Sequence, residues 1–213
     1  MRYKFVTIEG NIGAGKTTLA KLLTEEFNGQ IVLERFDNPF LSKFYDDPSK
    51  YAFQLEMAFL LERYQQLNTF FSSPNIFSRF VVTDYIFTKS LLFAKINLSN
   101  EEYTLYRNFF QLINKKLPDP DIIFYLHAES DSLIRNIRKR GRPYEQSISK
   151  NYLQRIEKMY FEYFKQMPEQ KVVIVNVNDV DWVSDVFAYK ELLKYFDMAY
   201  KEGINVVNLT AEV

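Results

Sequence analysis

Short apolar runs rich in β-branched residues alternate along this chain with longer stretches whose apolar residues recur every three or four positions, the pattern of strands separated by helices. Strands are expected at Tyr3–Ile8, Gln30–Leu33, Phe80–Thr83, Asp121–Leu126 and Lys171–Val175. Helices are expected over Lys16–Phe27, Tyr51–Phe71, Leu98–Leu117, Ile148–Lys165 and Trp182–Lys201, with a further one beginning near Ile86. The strands read as continuous apolar runs, so both faces of the sheet are covered, as in parallel sheets. The fold class is therefore α/β, a five-stranded parallel sheet flanked by helices. The apolar tail Ile204–Leu209 suits an edge strand with no assigned function. No repeat or long linker interrupts the pattern, and 213 residues suit one domain over 1–213.

Ligands of such sheets bind beyond the carboxyl ends of the strands. After the first strand stands Gly10-Asn11-Ile12-Gly13-Ala14-Gly15-Lys16-Thr17-Thr18. This G-x-x-x-x-G-K-T spacing, between a strand and a helix, is that of a P-loop NTPase or kinase fold. Its backbone N–H groups close on a polyphosphate at a helix N-terminus. Lys16 would reach the β- and γ-phosphates of ATP, and Thr17 would place its hydroxyl on Mg²⁺. An ordinary glycine turn accounts for neither the lysine nor the flanking elements.

The other strand ends also carry polar groups. Glu34 follows the second strand and is either a base for an attacking hydroxyl or a surface carboxylate paired with Arg35. Asp84 follows the third, where P-loop proteins hold Mg²⁺ through water, and could equally cap the next helix. On the long helix Tyr51–Phe71, Glu56 and Arg63 lie two turns apart on one face with Phe59 between them, interrupting an apolar stripe of Ala52, Leu55, Leu60 and Leu67. They are either paired internally or aimed at a polar ligand edge. His127, the only histidine, reads as structural. Arg135, Arg138, Lys139, Arg140 and Arg142 cluster before Pro143. They form either dipole-complementing surface or an Arg-rich lid, about 138–147, that closes on the triphosphate, and the density of cations favours the lid.

Composition narrows the partners. With 27 basic and 27 acidic residues the net charge is zero, which argues against nucleic acid as a partner. The absence of cysteine removes thiolate metal sites and disulfides, no run suits a membrane span, and the expected location is cytoplasmic. The 20 Phe and 15 Tyr supply thick helix packing, stacking surfaces for a base, or both.

Together the P-loop, Phe44-Tyr45-Asp46-Asp47-Pro48, Phe53-Gln54-Leu55-Glu56 through Arg63, Asp84-Tyr85 and Arg140-Gly141-Arg142 resemble the deoxynucleoside kinase family, in particular its bacterial deoxyguanosine/deoxyadenosine kinases. The resemblance covers nearly the whole chain. It implies transfer of the ATP γ-phosphate, with Mg²⁺, to the 5′-hydroxyl of a purine deoxynucleoside. It also implies a homodimer, for which the long aromatic-rich helices are the candidates. By that resemblance Glu34 is the general base, with Lys16, Arg140 and Arg142 as the other catalytic residues. Tyr45 and Glu145 hold the sugar 3′-hydroxyl. Glu56, Phe59 and Arg63 face the base, Asp84 joins Thr17 at the metal, and Arg138 joins the P-loop in binding ATP.

Three departures stand out. Where relatives have Glu-Arg-Ser this chain has Asp84-Tyr85-Ile86, so Arg35 or Arg63 must steady the catalytic carboxylate instead. The first lid arginine of relatives falls on Asn136, leaving Arg138 or Arg135 to serve. The segment around Glu34 is about one residue shorter. Relatives often carry glutamine at Glu56, and an ionised glutamate offers only acceptors, matching the N1–H and N2–H donors of guanine. Deoxyguanosine is therefore expected first and deoxyadenosine second. The alternatives are a thymidylate-type nucleoside monophosphate kinase, which needs an arginine for the acceptor phosphate, and a regulatory subunit that binds nucleotide with weak turnover.

Overall fold

The computed structural model describes residues 2–72, 80–114, 117–178 and 180–210. The strands are β1 (Phe5–Gly10), β2 (Gln30–Val32), β3 (Val81–Thr83), β4 (Ile122–His127), β5 (Lys171–Asn176) and β6 (Gly203–Asn208). They form one sheet in the order β2-β3-β1-β4-β5-β6, every neighbouring pair parallel. The sheet thus has six strands, not five. The extra strand is the expected apolar edge, whose residues are only partly buried or exposed. A strand with one neighbour lacks the continuous apolar run that marks the buried strands.

The helices are α1 (Lys16–Phe27), α2 (Leu41–Asp46), α3 (Pro48–Ser72), α4 (Lys89–Asn97), α5 (Asn100–Asn114), α6 (Ser130–Arg140), α7 (Lys150–Lys165) and α8 (Val186–Tyr195), with a 3₁₀ turn at Pro143–Glu145. The helix expected over Trp182–Lys201 is the shorter α8, capped by the Asp185 carboxylate on Phe187 and Ala188 N–H. α5 opens with a reciprocal cap between Ser99 and Glu102. Two further expectations shift. α4 begins at Lys89 with Thr88 at its N-cap, so Asp84 is not its cap. The expected helix Leu98–Leu117 ends at Asn114, and residues 115–116 lie outside those described.

One face of the sheet packs Val6, Ile8, Phe124 and Val173 against α1, α6 and α8, and the other packs Tyr125, Val172 and Ile174 against α4 and α7. α3 and α5 make a separate aromatic layer with Tyr85, Phe87, Tyr106 and Phe110. Strand order runs outward in both directions from β1, so the crevice beyond its carboxyl end is where a ligand is expected. The P-loop fills it, and close approach demands its glycines. At Gly15 (φ +89°) a Cβ would stand 2.7 Å from the Trp182 ring, and at Gly10 2.7 Å from the Leu126 carbonyl oxygen.

Candidate active site

A cavity of about 950 Å³ opens at the carboxyl ends of the strands. Of the residues singled out from sequence, Ile12 through Thr18, Glu34, Tyr45, Glu56, Phe59, Arg63, Arg140, Arg142 and Glu145 all line it. Gly10, Asn11 and Asp84 stand just behind that lining. Arg138 is the exception, because it is exposed and faces none of the cavity, whereas Arg135, Asn136 and Lys139 of the same helix do. Helical geometry explains the split, since positions 135, 136, 139 and 140 share a face that 138 does not.

The P-loop is held from below. Glu9, fully buried at the end of β1, accepts hydrogen bonds from Gly10 N–H (3.2 Å), Ile86 N–H (2.8 Å) and Tyr160 O–H (2.7 Å), tying the P-loop to the loop after β3. Lys16 Nζ donates to the Gly10 and Asn11 carbonyls (3.0 and 2.9 Å). Burial and the nearby Lys89 charge pull its pKa down to about 8 despite Glu9, Glu34 and Asp84. An anion in the loop would favour the charged form further. Thr17 Oγ1 donates to Asp84 Oδ2 at 2.5 Å, and the other Asp84 oxygen accepts the Glu34 N–H at 2.6 Å. Burial and the Glu34 charge raise the Asp84 pKa above its usual value. Two hard oxygens in contact beside a glycine-rich loop suit a divalent cation. No group of three or more acidic, His or Cys side chains makes a closed metal cage among the described residues.

Glu34 sits on the loop after β2 and is buried. Arg63 reaches its Oε1 through Nε (3.0 Å) and a terminal nitrogen (2.6 Å), and Lys89 Nζ reaches its Oε2 at 2.6 Å. Arg35 is not its partner; of the two substitutes weighed from sequence, Arg63 serves. Lys89 was not anticipated. It stands one helical turn beyond Tyr85, the position where relatives carry arginine, and is the only charge in the apolar run Tyr85–Ala94, a signal that could have found it. Tyr85 does separate work: its hydroxyl donates to Gln66, whose amide holds the Leu33 carbonyl next to Glu34. Burial alone would raise the Glu34 pKa, but Lys89 and Arg63 together bring it down to about 2.

Deeper in the cavity Glu56 is buried on α3, and its Oε1 accepts from the Asn97 amide at 2.7 Å. Asn97, from the end of α4, accepts in turn from Tyr152 O–H at 3.4 Å, and neither residue carried a sequence signal. Arg63 lies over the Phe59 ring, 4.7 Å from its centroid, and donates to Ser90 Oγ. Tyr45, from α2, stacks on Tyr144 at 6.0 Å. Buried Glu145 takes two arginines, Arg140 on one oxygen and Arg142 on the other, and Arg142 also covers Phe36. Asn136 donates to the Gly13 carbonyl at 2.9 Å, so the residue in the arginine position touches the P-loop. His127 pairs with Glu157 at 2.6 Å and does not line the cavity, in keeping with a structural role.

The cavity is therefore two-sided, a polyphosphate cradle and a chamber walled by rings and acids, with Glu34 at the junction. Comparison with known proteins gives the same division of labour a context. The deoxynucleoside kinase family model matches residues 6–198. A deoxyguanosine kinase of Bacillus subtilis (strain 168) is 39% identical over 186 residues, 84% of this chain and 89% of that protein. A deoxyadenosine kinase of Lactobacillus acidophilus is 29% identical over 92% of this chain and 96% of its own. The structure of M. mycoides deoxyadenosine kinase with bound dATP superposes with a TM-score of 0.75 at 26% identity, covering 90% of this chain and 97% of that one. A P-loop shared by chance would match a few turns around Lys16. A match running from residue 6 to 198, with a common fold around it, does not reduce to that, and the chain belongs to the deoxynucleoside kinase family.

Proposed function

We propose that this kinase transfers the γ-phosphate of ATP to the 5′-hydroxyl of a purine deoxynucleoside, deoxyguanosine ahead of deoxyadenosine, in nucleotide salvage. The observation that carries the reading is Glu34, an ionised carboxylate gripped by Arg63 and Lys89 between the P-loop and the ring-walled chamber. A 5′-hydroxyl placed there donates to Glu34 and is aimed at the phosphoryl group. Tyr45 and Glu145 face the sugar 3′-hydroxyl, and Glu56, Phe59 and Arg63 face the base. Lys16, Arg140 and Arg142 spread the charge that develops on the phosphoryl oxygens, with Arg135 taking the place expected for Arg138. Thr17 and Asp84 hold Mg²⁺, which when bound neutralises the phosphate oxygens. The lid is the segment 138–147, and residues 1–213 act as one domain.

A thymidylate-type reading finds less support, because Arg35, the arginine just after the second strand, does not line the cavity, and Arg63 is already bonded to Glu34 and Ser90. Release of ADP should be measured with deoxyguanosine, deoxyadenosine, dGMP, dTMP and no acceptor. Turnover with the two deoxynucleosides alone supports the proposal; turnover with a monophosphate replaces it with the thymidylate-type reading; none with any acceptor points to a regulatory subunit. Glu34→Ala should lower kcat at least roughly a hundredfold while ATP binding is retained.

The reading extends to a cytoplasmic homodimer. Leu105, Phe109 and Leu112 make an exposed apolar stripe on α5, with Leu61 exposed on α3, and these helices are the proposed contact. Among the described residues no helix is long and apolar enough to cross a membrane.

A further inference from the structure

Glu56 is an unusual reader for a base edge, because its two oxygens are not alike. Oε1 is fixed as an acceptor by the Asn97 amide at 2.7 Å, and the Asn97 carbonyl oxygen is fixed by Tyr152 O–H. Oε2 is buried and has no hydrogen-bond partner, in a side chain that lines the cavity. Buried polar atoms are rarely left unpaired in folded proteins, so an orphaned oxygen on a side chain that lines a ligand chamber marks a place where a ligand completes the bonding. The Asn97 bond also decides where a proton can sit. It occupies Oε1 with a donor, so the acid form of Glu56 carries its hydrogen on Oε2.

We propose that Glu56 selects the base through its own protonation state, the acid form accepting adenine and the carboxylate excluding it while retaining guanine. The inference rests on the proposal above that Glu56 faces the base. As the neutral acid, Oε2–H donates to adenine N1 and Oε1 accepts from the N6 amino group, the donor and acceptor set that a glutamine would give. As the carboxylate, Oε2 meets adenine N1 acceptor to acceptor. Guanine escapes this penalty, because the carboxylate takes its N1–H and N2–H, while the acid takes N1–H and donates to O6. Deoxyadenosine is thus a substrate of the protonated enzyme, and deoxyguanosine of both forms.

The surroundings set this group to titrate in the working range. Burial raises its pKa to about 7, against the lowering effects of the Asn97 bond, Arg63 of the same helix and Lys89 of α4. The Glu34 charge adds to the rise. Tyr106 of α5, whose hydroxyl donates to the Glu56 carbonyl at 3.4 Å, and Tyr152 of α7 both feel the Glu56 charge and have their own pKa values raised by burial. Glu34 stays ionised down to about 2, and both tyrosines stay neutral. Lys16 titrates near 8, but it serves ATP, which is common to both acceptors, and cancels in their ratio.

The test is the ratio of kcat/KM for deoxyguanosine to that for deoxyadenosine, measured from pH 6 to pH 8 in the native protein and in Glu56→Gln. The neutral fraction of a group with a pKa of about 7 falls roughly tenfold over that span. The native ratio should therefore rise by roughly tenfold, whereas in Glu56→Gln it should be flat and shifted toward deoxyadenosine. Independently, calorimetry of deoxyadenosine binding to the native protein in buffers of different ionisation enthalpy should show proton uptake at pH 8. A pH-independent native ratio, or no proton uptake, overturns the switch even if Glu56→Gln still changes base preference. Failure of the underlying reading looks different: no deoxynucleoside is phosphorylated, or Glu56→Gln leaves the preference unchanged at every pH, and the switch falls with it.

Discussion

Replacing Lys89 by methionine keeps the length of the side chain and deletes its charge, which isolates what the second cation does for Glu34. In the folded protein Lys89 Nζ and Glu34 Oε2 are 2.6 Å apart with side chains 6% and 3% exposed, so solvent cannot take over when the partner is lost. Breaking one side of such a buried pair costs on the order of 3–5 kcal/mol, and the remaining bonds from Arg63 put the expectation at the lower end, about 3 kcal/mol. The titration of Glu34 bounds the figure, since the fall from 4.5 to about 2, to which Arg63 and Lys16 also contribute, is worth roughly 3 kcal/mol in favour of the ionised form. A depressed carboxylate pKa stabilises the fold above its unfolded value and loses that contribution as pH falls through the folded one. In the native protein the loss therefore spans from about 4.5 down to about 2, and in the variant it begins at the same unfolded value but ends at higher pH and is smaller. Urea denaturation at neutral pH and at pH 4, together with ADP release, reads all of this. The expected result is a lower urea midpoint, a gap between native and variant that narrows on acidification as Glu34 is protonated in both, and a kcat lowered by roughly a hundredfold through a loosened Glu34. ATP binding should persist, and Lys89→Arg should recover most of the stability. A methionine variant with native urea midpoint and kcat within threefold of native would refute the assignment of Lys89 as the missing cation.

Gly15→Ala should abolish ATP binding measured by nucleotide titration and lower Tm, because φ is +89° and the added methyl would meet the Trp182 ring at 2.7 Å. Glu145→Gln removes the anion shared by Arg140 and Arg142, so KM for the deoxynucleoside should rise roughly tenfold or more, with a smaller change in KM for ATP; equal changes in both would argue against Glu145 at the sugar. Leu112→Asp places a charge on a residue 71% exposed in the free chain, so light scattering should report a monomer with unchanged secondary structure if α5 makes the dimer contact.

The elements that bury a continuous apolar face were legible from their pattern, which is why β1, β4, β5, α3 and α7 fall close to their expected bounds. β6 was read as an edge but left out of the strand count, since one neighbour and a half-exposed face make no continuous run. The P-loop was legible because its chemistry needs particular residues at consecutive positions. Glu34, Glu56 and Arg63 were found as charges at strand ends or inside an apolar stripe. What each of them bonds was not legible, because Glu34 and Arg63 meet each other and their other partners, like that of Glu56, come from α4, all 27 or more positions away from the residue they meet. Lys89 shows the limit well. A motif comparison asks what occupies the position after Asp84, finds Tyr85, and reports a missing arginine, whereas a cation four residues further on, Lys89, meets the Glu34 carboxylate.

The two cations bear on what the carboxylate does in the proposed mechanism. A group held ionised down to a pKa of about 2 by two cations is a weak base, and a mechanism that required it to strip a proton from a hydroxyl before attack would be poorly served. Phosphoryl transfer through a loose transition state makes no such demand, because bonding to the nucleophile is slight until the phosphoryl group has nearly left its donor. The 5′-hydroxyl keeps its proton during most of the approach and becomes a far stronger acid only as its oxygen bonds to phosphorus. What the early part of the reaction needs is a fixed acceptor that aims the hydroxyl lone pair at the γ-phosphoryl group. The Arg63 and Lys89 bonds supply that fixity, at the cost of basicity the early step does not use. The argument predicts that Glu34→Gln, which still accepts a hydrogen bond through one oxygen, retains more kcat than Glu34→Ala. A glutamine variant no better than alanine would instead make proton acceptance the dominant role of the carboxylate.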